Sequence, residues 1–139
     1  MYAHITIERG IDFTFVDGQP YDTYEEMRED FEANKRLKIS KDFSETSIFG
    51  DAKVNWMFRA VHDMQHIDLG LDFSPEQEFM ITYKMIQDYR QRGLSQLDID
   101  LLTIEMQGQV IYFVETGNFP VNQRLFTIGE LIKLGYKVI

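Results

Sequence analysis

Two histidines one helical turn apart, His62 and His66, and the later side chains Glu78, Glu105 and Gln109 are the residues of this chain best suited to chemistry. Each interrupts a stretch of apolar periodicity. An ionisable group aimed into an apolar face is costly unless it is paired or binds a metal. Imidazoles at i and i+4 share a helix face and clamp one cation between them. Carboxylates from neighbouring helices would complete a mixed nitrogen and oxygen set. The candidate ligands are therefore His62, His66, Glu78 and Glu105, and the cofactor they imply is a divalent metal ion, Zn, Mn or Fe, of the kind that helix bundles house.

Two other readings use the same residues. In one, Arg59 lies between Glu78 and Glu105 in an internal salt-bridge network, with the imidazoles as hydrogen-bond partners and no metal. In the other, a carboxylate and a histidine work as acid and base without a metal.

The elements that must position these side chains are set by helical geometry, in which successive residues turn by about 100°. Asp51 caps a helix over residues 51–68. Ser74, with Pro75 at the first helical position, opens a second that ends at Gly93. Ser95 caps a third, which runs unbroken over residues 96–116 and stops before Gly117. In the second, Glu78 falls with Ile81, Met85 and Tyr89. In the third, Leu101 and Tyr112 flank Glu105 on one side, Leu102 and Phe113 on the other, and Gln109 shares its stripe. Gly108, costly inside a helix, marks a close backbone approach beside that stripe. The first helix is open to two interpretations. Asn55, Arg59, His62 and His66 form a stripe at i, i+4, i+7 and i+11, which is either an inward face or a narrow solvent face.

Around these three principal helices the remaining elements are smaller. ITI and DFTFV, within residues 3–16, read as two strands of a β-hairpin. Asp22 or Thr23 caps a helix reaching Asn34, and residues 37–40 form a third short strand. Residues 41–50 read as loop, an amphipathic segment spans residues 128–134, and residues 136–139 form a terminal strand. The fold class is mainly α (α+β), in one domain over residues 1–139, with a β element in residues 1–40 and a helical core in residues 51–139.

Composition narrows the function. The chain has 139 residues, 44% hydrophobic and 14% aromatic, enough for a packed core. With 14 basic and 23 acidic residues its net charge is −9. That argues against nucleic-acid binding, which needs clustered Lys and Arg, and is compatible with a basic protein partner. Without cysteine there is no disulfide, thiolate nucleophile or zinc finger. No signal peptide opens the chain, and its apolar runs fall short of the roughly 18 residues of a membrane span. The expectation is a cytoplasmic protein without membrane association, its oligomeric state undetermined.

The segments FRAVHDMQH (58–66), IEMQGQVIYF (104–113) and GNFPVNQRLF (117–126) resemble a family of small bacteriophage-encoded proteins with an F-R-x-x-H-D, E-x-x-G-Q and N-Q pattern. The resemblance covers roughly residues 37–126. It carries Phe58, Arg59, His62, Asp63, His66, Glu78, Glu105, Gly108, Gln109, Asn122 and Gln123. Many relatives place the second histidine five positions after the first, where this chain has four, and many have Gly-Glu where it has Gln77-Glu78. The resemblance implies a phage protein in the host cytoplasm. With the ligand set above it suggests a metal-binding protein, and in an enzymatic version Arg59, Asp63 and Gln109 are the catalytic candidates for metal-assisted hydrolysis or an oxygen-dependent reaction. The alternative is an acidic protein that inhibits or redirects a host protein, its polar cluster purely structural.

Overall fold

A computed structural model describes residues 1–42 and 50–137, and confirms a mainly α protein with a small β element near the N-terminus. The chain divides into two compact units, Met1–Phe73 and Ser74–Ile139.

In the first unit, β1 (Asp12–Val16) and β2 (Arg36–Ser40) pair in parallel, with Asp12 opposite Arg36 and Val16 opposite Ser40. Parallel strands need a crossover, and α1 (Tyr24–Asn34) provides it. Thr23 is the cap, its hydroxyl accepting from the Glu26 N–H. α1 and α2 (Ala52–Leu69) both pack on β2. Leu37 and Ile39, two apart on one face of β2, are fully buried along with Met27 and Met64. Trp56 of α2 packs on Phe15 at 5.5 Å with Lys41 over its ring.

The expected N-terminal hairpin is absent. His4–Glu8 forms a π-helical turn, with the Arg9 N–H donating to the His4 carbonyl. β-branched residues favour a strand, yet among the described residues the sheet holds β1 and β2 alone. Instead an exposed His4–Glu8 contact at i, i+4 supports a turn, Ile5 is buried, and Arg9 forks onto Asp68 of α2 with two bonds of 2.8 Å.

Tyr21 ties α1 to β2. Its hydroxyl donates to Asp30 at 2.5 Å and accepts from the Lys38 N–H at 2.9 Å. The bond from Tyr21 holds the Asp30 carboxyl below its usual range, against the opposing effect of burial and with help from Asn34, Arg36 and Lys38. A depressed carboxyl pKa stabilises the fold above the unfolded value near 3.9 and loses that contribution as pH falls through the folded value. Tyr21→Phe should therefore cost about 1–2 kcal/mol near neutral pH, and the deficit should shrink near pH 3, as urea melts at the two pH values would show.

In the second unit, α3 (Pro75–Gln91) packs on α4 (Gln96–Thr103) and on a π-helical turn, Ile104–Gly108, that leads into α5 (Gln109–Thr116). α6 (Gln123–Lys133) covers α4 and the same turn. Ile81, Met85, Ile99, Ile104, Met106 and Leu131 are buried. The helix expected over residues 96–116 is thus interrupted in its middle. The Gln109 N–H bonds to the Ile104 carbonyl, five residues back, inserting one extra residue and rotating α5 about the helix axis.

Gly108 closes that turn beside the Phe126 side chain, but not in the close backbone approach expected of it. A Cβ there would lie 3.4 Å from Ile104 Cγ2 and 3.5 Å from Phe126 Cε1, which is ordinary contact. Gly108→Ala should be neutral or stabilise the fold by up to about 1 kcal/mol, read as a rise in thermal midpoint.

At the C-terminus, the Tyr136 N–H returns to the Leu131 carbonyl and its hydroxyl donates to Asp100 at 2.5 Å. Tyr136 thus folds back on α6, and neither it nor Lys137 is in the expected strand, whose last two residues, 138 and 139, lie outside the described residues. Residues 43–49 of the expected loop also lie outside them. Among the described residues, no helix is long and apolar enough to cross a membrane.

Candidate functional site

The polar stripe of α2 is not its solvent face. Asn55 and His66 are buried and Arg59 and His62 are half-buried, whereas Val54 is exposed. Arg59 donates from Nη1 to the Ser40 carbonyl at 2.8 Å, which pins α2 to the end of β2.

The end of α2 fixes His66. Gly70 adopts the left-handed conformation at φ 65°, and its N–H bonds back to the His66 and Ile67 carbonyls. The Leu71 N–H also returns to the His66 carbonyl, at 3.1 Å, a C-terminal closure that glycine allows. This reversal brings the Leu71 carbonyl within 2.8 Å of His66 Nδ1. A carbonyl oxygen only accepts, so Nδ1 carries the proton and a neutral ring keeps its lone pair on Nε2. The residue is 0% exposed. Phe73 closes edge-on over the ring at 5.1 Å and meets Tyr24 edge-on at 6.1 Å.

His62 precedes His66 by one turn. The two rings are perpendicular with centroids 4.9 Å apart, and His62 stacks on Phe58 at 6.4 Å. Its Nδ1 faces an Asp63 oxygen at 3.6 Å, close enough for an ion pair but beyond a hydrogen bond. Asp63 is half-buried beside it. His4, by contrast, is exposed on the N-terminal turn.

In the second unit, Glu78 lies half-buried in the first turn of α3, where the helix dipole favours a carboxylate. Its backbone carbonyl accepts from the Thr82 hydroxyl at 3.0 Å. Glu105 lies in the π-helical turn. One oxygen accepts from Gln109 Nε2 at 2.8 Å and the other from the Thr127 hydroxyl at 3.0 Å. Gln109 is 8% exposed and Thr127 is 0% exposed.

Sequence reasoning missed Thr127. Its signal was the inward spacing of Gln123, Thr127 and Leu131 at i, i+4 and i+8, all three buried. That spacing emerges only when α6 starts at Gln123, capped by the Asn122 side chain on the Leu125 N–H, and not at residue 128 as expected. The Leu71 carbonyl was also missed, since a backbone atom leaves no residue type to read.

Within the first unit, His62 and His66 each offer a ring nitrogen that could bind a metal ion. Glu78 and Glu105, the other expected ligands, belong to the second unit. No protein-family model, curated protein or solved structure matches the chain.

Proposed function

We propose that this chain is a metal-binding protein whose ion is held by the imidazoles of His62 and His66. The observation that carries the reading is His66: a fully buried imidazole whose Nδ1 is committed to a backbone carbonyl. Metal-binding histidines are oriented in this way, with the outer nitrogen bonded to a carbonyl or carboxylate and the other on the ion. Two imidazoles suit Zn, Mn or Fe and leave coordination positions for oxygen ligands, water or substrate, as catalytic sites do. A protein with such a centre would carry out metal-assisted hydrolysis or an oxygen-dependent reaction. In that chemistry Asp63, beside His62, is the acid–base group, and Arg59, on the same stripe of α2, contributes positive charge. Gln109 serves Glu105, and that pair together with Thr127 shapes the second unit.

The resemblance carried by residues 58–66, 104–113 and 117–126 adds a phage origin and the host cytoplasm to the proposal. Elemental analysis of protein purified without a histidine tag tests it. About one Zn, Mn or Fe per chain is expected, falling several-fold in His62→Ala. Metal far below one per chain, unchanged by His62→Ala, would overturn it.

A further inference from the structure

We infer that His66 coordinates through Nε2 and that Gly70 is the positioning residue that sets this, an inference that rests on the metal-binding reading above. An imidazole offers either nitrogen to a metal, and what bonds the other nitrogen decides between them. Here the partner of Nδ1 is the Leu71 carbonyl, 2.8 Å away, which cannot donate and so holds a proton on Nδ1. Ligation through Nδ1 would require that bond to break and the ring to turn inside a fully buried site closed by Phe73. His62 has the same polarity, its Nδ1 turned toward Asp63.

The Leu71 carbonyl is where it is because the chain reverses at Gly70. The left-handed φ of 65° is a conformation that residues with a Cβ rarely adopt and that asparagine tolerates better than alanine. A Cβ added at Gly70 would meet no atom within 4 Å. Alanine at this position therefore disturbs the turn without disturbing any packing. The consequence reaches the metal through one backbone atom: if the reversal relaxes, Leu71 moves off Nδ1, the ring loses its orientation, and the ligand loses basicity. Gly70 touches no ion and performs no chemistry.

The test uses the full chain labelled with 15N in its histidine rings. In metal-free protein, ring proton–nitrogen correlations should place the His66 proton on Nδ1. Adding Zn²⁺ should shift the Nε2 resonance and leave the Nδ1 proton in place. Gly70→Ala should weaken Zn²⁺ binding by about 10–100-fold in a competition titration, the loss usual when a ligand's outer partner is removed. Gly70→Asn should restore most of that loss. A proton on Nε2, a Zn²⁺-induced shift at Nδ1, or wild-type affinity in Gly70→Ala would each overturn the inference. If Gly70→Ala fails to fold, the wild-type ring spectra and the Gly70→Asn affinity decide. Wild-type protein that binds no Zn²⁺, Mn²⁺ or Fe²⁺ overturns the metal reading itself, a result distinct from Zn²⁺ bound through the other nitrogen.

Discussion

His66→Ala is expected to abolish the proposed metal binding and to lower stability by about 2–4 kcal/mol, because it empties a fully buried site and strips the Leu71 carbonyl of its donor. The two effects separate by comparison with His62→Ala. His62 is half-buried, so its loss should remove most of the metal affinity at about half the stability cost or less. Urea unfolding of metal-free protein reads the stability effect as a lower midpoint at unchanged slope, and metal titration reads the affinity. A His66→Ala protein as stable as wild type would mean that the imidazole is not part of the packed interior of the first unit. A His66→Ala protein that still bound metal with wild-type affinity would remove His66 from the donor set.

The second large effect lies in the π-helical turn. Glu105→Leu should cost about 2–4 kcal/mol, since it leaves the Thr127 hydroxyl and the Gln109 amide without their carboxylate acceptor. Thr127 makes the stronger demand because no part of it reaches solvent. Removing both ends of a buried hydrogen bond is less costly than removing one, so Glu105→Leu combined with Thr127→Val should recover about 1 kcal/mol or more. A double mutant whose losses simply add would show that the two residues do not depend on each other. The cycle is measured by denaturant unfolding and needs no metal.

How much of this was legible in the sequence depended on whether a local signal was decisive. The caps were: Asp51, Ser74 and Ser95 each carry a side-chain oxygen that accepts from the first turn. β2 was legible too, because alternation in RLKIS matches a half-buried strand. The N-terminal turn was not, since ITI has strand propensity and only the backbone bonding reveals the π-helical form. The π-helical turn was invisible for a different reason. Its backbone stays in the right-handed helical region, at φ −65° and ψ −42° for Ile104, so no residue type announces it except Gly108 at its end. Of the site, the types and spacing of His62 and His66 were legible. Whether their stripe faced inward was not, because a helix apolar on several sides does not say which narrow strip is wet.

The parallel pairing of β1 with β2 also dictates an order of events as the first unit folds. A hairpin can zip from its turn, one neighbouring bond after another, whereas Asp12 meets Arg36 only after the intervening chain has been gathered in. α1 does most of that gathering, since its 11 residues shorten to about 16 Å once helical. The sheet therefore has no local nucleus of its own. Its ladder is a non-local contact, and closing it carries the loop entropy of the whole crossover, a cost that a hairpin avoids.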